Sequence, residues 1–285
     1  MKNYFYNRIY NGWHTVYNIC GLKLKKKEYK PQHFDIVNAE FDSVNGLGNR
    51  ILGLVNCINY YSPKFLNMYW DNKGWVSASF ADLFDTNFDF ELNEYSDNSI
   101  LKKWQNNKHE RTIVSPPCFL VTKDKKDLNL KYNDIEEQDR EEFRGIFSRI
   151  SPAKKVAERL DGVDITSEYV AVHVRNFKDF EKLGWNTDIN LYFAEMDKYP
   201  QDTKFYLSAM SEEIADKFKQ KYGEQIITLP NKKYNSMIDA VAELYMLGKA
   251  AKAIYSSLST FSELAWWLCG AKQDVTIVKK EDNNE

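Results

Sequence analysis

The second half of the chain alternates short apolar runs with segments of helical apolar spacing, and this alternation restricts the folds open to the sequence. The apolar runs have the length of buried strands. They cover residues 169–174, 204–208, 225–229, 253–255 and 275–278, and helical patterns cover 191–198, 212–222, 236–248 and 259–268. Such alternation is typical of a doubly wound α/β domain built on a parallel sheet. We predict the α/β class on this ground.

The length of the chain leaves room for a second domain. Its 285 residues fit one large domain or two of ordinary size. A charged helical pattern over 136–159 is interrupted at Ser151-Pro152, where proline suits the first turn of a new helix. We therefore predict an N-terminal domain over residues 1–150 and a C-terminal domain over residues 151–285.

The N-terminal part has a less regular pattern. We predict a strand at 34–37, a buried helix at 51–58 that ends before Pro63, and further elements at 66–70 and 80–84. Residues 85–131 are irregular and polar, so we predict loops there and assign them no chemistry.

Composition and charge exclude several classes of protein. A hydrophobic content of 43% rules out global disorder, and a formal charge of −2 calls for no nucleic-acid partner. Four cysteines match no metal-ligand spacing and are typical of reduced thiols in a cytosolic protein: Cys20, Cys57, Cys118 and Cys269. No apolar run approaches the ~20 residues that span a bilayer, and no signal peptide is visible. We expect a cytoplasmic protein.

The first thirty residues crowd aromatic side chains ahead of a lysine cluster, Lys23 to Lys27. Aromatic residues followed by basic ones suit contact with anionic lipid headgroups, which would place the protein peripherally on the inner face of the membrane. The alternative is a packed N-terminal arm with solvated lysines. Both interpretations stay open.

The run at 169–174 ends in two polar side chains, His173 and Arg175. Side chains alternate along a strand, so both lie on one face at the carboxyl end, where open α/β sheets collect ligands. An imidazole beside a guanidinium suits an anionic ligand such as a nucleotide diphosphate. The alternative is a strand end with two solvated residues.

Two further segments have the character of anion-binding turns. Gly46 and Gly48 lie between a strand and a helix, although neither the dinucleotide fingerprint nor the P-loop pattern is complete. A tight turn without a ligand is the alternative. In the segment 256–263, Ser259 or Thr260 can cap the last helix, in a capping box with an acidic residue, or bind phosphate at its N-terminus. Asp239 opens the preceding helix and either stabilises its dipole or faces a ligand.

Taken together, these motifs resemble those of the GT-B fucosyltransferase superfamily, which includes the nodulation and core α-1,6-, the α-1,2- and the protein O-fucosyltransferases. The ordered match spans about residues 34–270. The resemblance implies two Rossmann-like domains facing across a cleft, and inverting transfer from a GDP-sugar donor, most often GDP-fucose, to a glycan acceptor. It implies no cofactor and no metal. The N-terminal segment also resembles the start of bacterial glycosyltransferases that build surface polysaccharides such as capsule and lipopolysaccharide.

The resemblance also implies roles for single residues. Arg175 would contact the β-phosphate and support departure of the leaving group, and His173 and Asp239 would contact the nucleotide. The remaining donor contacts would come from a loop of the N-terminal domain and from a phosphate cradle at the last helix: Gly46, Gly48, Asn49 and Arg50, then Ser259, Thr260 and Phe261. Asp179 and Glu181 are the candidates for the general base that deprotonates the acceptor hydroxyl.

The chain also departs from the superfamily pattern. Asn176-Phe177-Lys178 follows Arg175 where many relatives have a second arginine, and Ser208 to Ser211 stands where core-type enzymes have acids. These departures concern the sugar more than the diphosphate. The alternatives are therefore another donor, such as GDP-heptose, another GDP-deoxysugar or a non-sugar group, and a catalytically silent nucleotide or glycan binder.

Overall fold

The computed structural model describes residues 6–10, 14–19, 22–27, 34–106, 111–114, 116–163, 168–176 and 187–279. The chain divides into two compact units. The first comprises Met1–Phe80 and Asn87–Asn129, and the second comprises Ala81–Thr86 and Leu130–Glu285. The predicted α/β class is confirmed, because parallel sheets and helices alternate along the chain. The predicted domain boundary at residue 150 stays a prediction.

The first unit contains an antiparallel sheet and a parallel sheet. The antiparallel sheet joins three strands in the order β1-β2-β3: Tyr6–Tyr10, His14–Ile19 and Leu22–Lys27. The parallel sheet joins four strands in the order β7-β5-β4-β8: Glu91–Tyr95, Phe65–Trp70, Ile36–Phe41 and Arg111–Val114. Helix α1 (Leu47–Tyr61) follows β4, and helix α3 (Ser99–Asn106) lies between β7 and β8. The short helix α2 (Phe80–Leu83) begins at the last residue of a segment of the first unit and continues into the second unit.

The second unit is built on a five-stranded parallel sheet in the order β12-β11-β10-β13-β14. These strands are Ile226–Ile227, Lys204–Ala209, Tyr169–Val174, Lys252–Ser256 and Asp274–Val278. Two helices of this unit precede the sheet in the chain, α4 (Glu137–Phe147) and α5 (Lys154–Asp161). Four more alternate with its strands: α6 (Ile189–Met196), α7 (Glu212–Tyr222), α8 (Met237–Lys249) and α9 (Thr260–Leu268). The predicted strands and helices of this region are therefore confirmed, with shorter bounds for β12.

The five-stranded sheet is buried on one face by apolar side chains. Val172 of β10, Leu207 of β11 and Ile254 of β13 are paired in register and belong to one cluster with Tyr192 of α6 and Phe218 of α7. The next row along these strands, on the opposite face, consists of Ser208, His173 and Tyr255. The opposite face is buried as well, and at its carboxyl end it carries the polar side chains of Ser208 and His173.

The prediction of loops across 85–131 is wrong in part, since β7, α3 and β8 lie there. Strand β7 has no apolar alternation because amide side chains hold it to its neighbours. Asn67 Nδ2 donates to Asn38 Oδ1 at 2.8 Å, and Asn93 Nδ2 donates to Asn67 Oδ1 at 3.3 Å, across three strands in register. A polar ladder of this kind leaves no periodic hydrophobic signal.

The helical pattern over 136–159 is interrupted as predicted, but by a strand. Strand β9 (Ile150–Pro152) pairs antiparallel with β6 (Phe84–Thr86). Pro152 therefore ends a strand, and α5 begins two residues later at Lys154, so the predicted first-turn position of the proline is wrong. Within the described residues, none of the helices combines the length and apolar character required to traverse a lipid bilayer.

Candidate functional site

The candidate site lies where the strand order of the second sheet reverses. Strand β10 is followed by β11 and β12 on one side, whereas the chain returns to place β13 and β14 on the other side. The crevice at such a topological switch point, outside the carboxyl ends of the strands, is the usual ligand site of an open α/β sheet. His173 and Arg175 lie at the end of β10, and Ser256 and Ser259 lie at the end of β13. The fold thus brings together the two segments that the sequence singled out.

Ser256 joins the two strands at this point. Its Oγ accepts a hydrogen bond from the Arg175 backbone amide at 2.6 Å and donates one to the His173 carbonyl at 3.0 Å. The Tyr192 hydroxyl lies 2.5 Å from the same oxygen. Ser256 therefore fixes the main chain on both sides of the His173-Val174-Arg175 motif. A serine at a strand end has no sequence pattern of its own, so this role of Ser256 cannot be predicted from the sequence.

His173 is a buried, neutral imidazole. Burial, followed by the charges of Lys232 and Arg175, lowers its pKa to about 3. The ring lies 5.2 Å from that of Phe261 and 6.4 Å from that of Tyr255, between centroids, and Nδ1 is 3.5 Å from Ser259 Oγ. His173 can therefore contribute a hydrogen bond or a packing surface to a ligand, but no positive charge at neutral pH.

Arg175 supplies the charge that His173 does not. Its side chain is half-buried, and this burial lowers the pKa of the guanidinium. An arginine side chain nevertheless stays protonated in proteins, because its ordinary pKa is above 12. A partly desolvated guanidinium at a switch point is suited to a diphosphate, whose oxygens accept its donors in pairs.

Helix α9 begins beside His173. Ser259 is its N-cap, with Oγ accepting from the Ser262 amide at 3.5 Å, and Thr260 is its first residue. The predicted capping box is wrong in detail, since Ser262 stands three residues after the cap and donates to the Ser259 carbonyl. Leu258, just before the cap, has φ of 56° and is exposed. Such backbone strain in a leucine is uncommon and tends to persist at functional sites.

Asp239 lies in the first turn of α8, where it holds the preceding loop. Its carboxylate accepts from Arg159 Nε at 2.8 Å and from the Lys233 amide at 2.7 Å. Burial alone would raise the pKa of Asp239, but these two hydrogen bonds and the Arg159 charge outweigh burial and lower it. In this structure the carboxylate stabilises the loop, and its predicted contact with a nucleotide stays a prediction.

A buried ion pair beside His173 was not foreseen from the sequence. Lys232 Nζ lies 2.7 Å from Glu243 Oε1 and donates to the Ala209 carbonyl at 2.6 Å. Glu243 also forms a hydrogen bond with Ser208, which pairs in register with His173. Burial raises the pKa of Glu243 to about 7, against the opposing effect of Lys232. The only signal in the sequence is an acidic residue inside an otherwise apolar helix.

In the first unit, the glycine-bearing turn follows β4 at the switch point between β4 and β8. Gly46 is the N-cap of α1, with φ of −70° and ψ of 169°, and a Cβ added there would meet no atom of the described structure within 4 Å. Gly48 lies in the first turn of the helix and is buried. Neither φ nor crowding requires glycine at position 46, but glycine is also a common N-cap residue, so the alternative of a tight turn without a ligand stays open.

Arg50 completes this turn as an internal brace. Its side chain is 0% exposed. Nε donates to the Asn45 carbonyl at 2.8 Å, Nη1 to the Asp71 carbonyl at 2.6 Å and Nη2 to the Asp42 carbonyl at 2.8 Å. The guanidinium also lies 4.8 Å from the centroid of the Trp70 ring. Asn49 Nδ2 donates to Asn45 Oδ1 at 3.4 Å. The predicted contacts of Asn49 and Arg50 with a donor stay predictions.

The two candidates for the general base, Asp179 and Glu181, lie outside the described residues. Among the residues that are described, no group of three or more His, Cys, Asp or Glu side chains could hold a metal ion. The predicted independence from metals stays a prediction.

Known structures place this architecture in the class of the fucosyltransferase fold. No protein-family model and no curated protein sequence matches the chain. Among solved structures, the fucosyltransferase NodZ from Bradyrhizobium matches with a TM-score of 0.53 and 17% identity over 82% of this chain and 92% of that one. A NodZ α-1,6-fucosyltransferase soaked with GDP-fucose matches with a TM-score of 0.54 and 17% identity, over 82% of this chain and 92% of that one.

Two further solved structures share the fold. A mutant of Arabidopsis thaliana FUT1 in complex with GDP matches with a TM-score of 0.58 and 13% identity, over 88% of this chain and 71% of that one. POFUT1 in complex with GDP matches with a TM-score of 0.52 and 10% identity, over 88% of this chain and the whole of that one. The predicted resemblance to GT-B fucosyltransferases is therefore confirmed at the level of the fold.

Proposed function

We propose that this protein is a glycosyltransferase that transfers a sugar, L-fucose in the first instance, from its GDP donor to a glycan acceptor. The observation that supports the proposal most is that Arg175 and the N-terminus of α9 follow the carboxyl ends of two neighbouring strands, β10 and β13, at the switch point of the second sheet. Solved proteins of the same fold have been obtained with GDP or GDP-fucose. These two facts together favour a GDP-sugar over other anionic ligands.

The proposed chemistry needs stabilisation of a leaving diphosphate. Breaking the bond between the sugar and the β-phosphate leaves negative charge on the phosphate oxygens. Arg175 and the first amides of α9, at Thr260 and Phe261, are suited to that charge without a metal, since fixed donors of this kind contribute several kcal/mol. We propose inversion of configuration by direct displacement, with Asp179 or Glu181 accepting the proton of the acceptor hydroxyl.

We propose that the second unit binds the donor and that the first unit serves the acceptor side. His173 would pack against the nucleotide as a neutral ring, and Asp239 would keep the loop over residues 230–233 in place for it. We add Glu243 as a candidate contact of the GDP-sugar. Its carboxylate is hydrogen-bonded to Ser208, which pairs in register with His173.

Ligand binding tests the proposal most directly. The melting temperature of the protein should rise with GDP and respond less to UDP, CDP and CMP, because binding to the native state alone raises stability. A mass-spectrometric panel of GDP-fucose, GDP-heptose and other GDP-sugars against glycan acceptors should then yield a product. A melting temperature that does not rise with GDP would contradict the proposal. A response to GDP without any turnover would leave a silent nucleotide binder.

We further propose a role in the synthesis of a bacterial surface polysaccharide, at the cytoplasmic face of the membrane. The support is the lysine-rich strand β3 (Leu22–Lys27) at one edge of the antiparallel sheet. Basic residues attract anionic lipid headgroups. Vesicles containing phosphatidylserine should carry the protein upward in a flotation gradient, and neutral vesicles should not. Equal behaviour with both kinds of vesicle would contradict the membrane contact.

A further inference from the structure

One buried hydroxyl organises the main chain around Arg175. Ser256 is 1% exposed and Tyr192 is 0% exposed, so neither side chain exchanges its partners with water. Three groups converge on Ser256 Oγ: the Arg175 amide at 2.6 Å, the His173 carbonyl at 3.0 Å and the Tyr192 hydroxyl at 2.5 Å. A buried network in which every member is satisfied gives its region a single rigid arrangement.

The proton positions in this network follow from its partners. A serine hydroxyl has one proton, and a carbonyl can only accept, so that proton goes to the His173 carbonyl. The Arg175 amide and the Tyr192 hydroxyl are then the donors to Ser256. Burial raises the pKa of Tyr192 to about 12, while its bonds with Ser256 and Thr187 act in the opposite direction. Tyr192 therefore stays protonated and serves as a donor at all physiological pH values.

The network reaches residues on both sides of the segment 177–186. Arg175 is bonded to Ser256 at one end, and the buried Thr187 is bonded to Tyr192 at the other. Tyr192 belongs to α6 and Ser256 to β13, so three elements are tied to one oxygen. A loss of either hydroxyl would loosen the strand end that carries the guanidinium.

We propose that Ser256 and Tyr192 are positioning residues, which hold the Arg175 guanidinium in the place where the departing diphosphate needs it. The proposal rests on the proposed function, since it assigns Arg175 to the leaving group. A displacement of about 1 Å in a group of this kind can cost about 100-fold in rate. The effect should therefore appear in kcat more than in the KM for GDP-fucose, because the β-phosphate gains its additional charge only as the sugar departs.

Tyr169 provides a matched control on the same strand. Its hydroxyl donates to the Met246 carbonyl at 2.6 Å, near the opposite end of β10 from Arg175. Tyr169→Phe and Tyr192→Phe each remove one hydroxyl from a tyrosine packed against the sheet, the first with its bond to Met246 and the second with its bonds to Ser256 and Thr187. Only the second substitution should alter the position of Arg175.

The test compares kcat, KM and GDP affinity, with GDP-fucose as the donor. Tyr192→Phe should lower kcat about 10-fold and Ser256→Ala about 30-fold, with the KM for GDP-fucose changed less than about 3-fold. The affinity for GDP should fall as well, because GDP carries the full charge of the leaving group. Tyr169→Phe should keep the kcat of the wild type. In an Arg175→Ala background, adding Tyr192→Phe should change kcat less than about 2-fold, since a residue that acts through Arg175 has nothing left to position.

Three results would overturn the inference. The first is a wild-type kcat in Tyr192→Phe, which keeps the packing of the ring even if Ser256→Ala fails to fold. The second is an equal loss of kcat in the wild-type and Arg175→Ala backgrounds, which would show a role independent of Arg175. The third is a wild-type protein that turns over no GDP-sugar, which would overturn the proposed function together with this inference.

Discussion

Each unit of this protein has one arginine beyond the strand beside its switch point, Arg50 in the first turn of α1 and Arg175 directly after β10, and the two are used in opposite ways. Arg50 and Arg175 each follow the strand next to the switch point of a parallel sheet. Arg50 is wholly buried and its guanidinium bonds three carbonyls of its own unit. Arg175 is half-buried, and its backbone amide is held by Ser256.

The difference shows two ways of shaping the turn after a strand. In the first unit the cation is the brace, because it joins the loop after β4 to the loop after β5. In the second unit, neutral hydroxyls of Ser256 and Tyr192 brace the main chain. An arginine after a strand therefore has no fixed role, and only its partners decide whether it stabilises a loop or serves a ligand.

The largest effect should come from removing the brace of the first unit. Arg50→Met leaves three carbonyls without their donors, and we expect a loss of about 3–5 kcal/mol in the free energy of unfolding. Lys131→Met, at an exposed position, should cost less than about 0.5 kcal/mol. Urea unfolding of both variants gives the comparison. A small loss for Arg50→Met would mean that water or another side chain replaces the brace.

Arg175→Ala should give the reverse pattern, with activity lost and stability kept. Loss of a preorganised charge at the leaving group should lower kcat by about 10²–10³, equivalent to roughly 2.7–4 kcal/mol. The free energy of unfolding should change by less than about 1 kcal/mol, since Ser256 still bonds the backbone amide. Steady-state kinetics and urea unfolding check both parts. Full turnover in the variant would remove Arg175 from the chemistry.

Sequence patterns predicted the second unit well because its strands are buried runs of apolar residues. They also predicted the place of His173 and Arg175, since the carboxyl end of a strand is visible in the sequence. The ion pair of Lys232 with Glu243 and the bonds of Ser256 were missed. The ion pair joins a loop residue to a helix residue 11 positions later, and Ser256 lies 81 positions after Arg175, so no local periodicity reports either contact.

The first unit was harder to predict for a related reason. Strand β7 is held by the amide ladder of Asn38, Asn67 and Asn93, which leaves no apolar alternation. The role of Arg50 as a brace depends on carbonyl groups, which every residue carries. Where polar contacts determine the structure, as in this amide ladder, the periodicity of apolar residues does not predict it.

Lys232 of the second unit is paired with the buried carboxylate of Glu243. Lys232→Met leaves Glu243 buried without its cation, and we expect a loss of about 2–3 kcal/mol at pH 8. The pKa of Glu243 is already raised to about 7 from 4.5, so the folded state holds this proton more tightly than the unfolded state. The contribution of Glu243 to the free energy of unfolding is therefore complete below pH 4.5 and is lost as the pH rises through about 7.

Without the charge of Lys232, which lowers the pKa of Glu243, that pKa should rise further. The loss of stability with increasing pH should then extend to higher pH. The free energy of unfolding, measured between pH 4.5 and 9, should therefore separate the variant from the wild type mainly on the alkaline side. Lys233→Met is the matched control, because its side chain is exposed and its contact with Asp239 is made by the backbone amide. A pH-independent loss in Lys232→Met would contradict the assignment.

The smallest effect on stability should come from Gly46→Ala, and it probes what the turn of the first unit is for. The backbone at Gly46 suits alanine and an added Cβ meets no described atom within 4 Å, so stability should change by less than about 0.5–1 kcal/mol. Turnover of GDP-fucose should fall about 10-fold if a ligand approaches the backbone there. Gly145→Ala on α4, also unhindered, should leave turnover unchanged. A destabilised Gly46→Ala would make the glycine a requirement of the fold, and unchanged turnover would remove this turn from the proposed site.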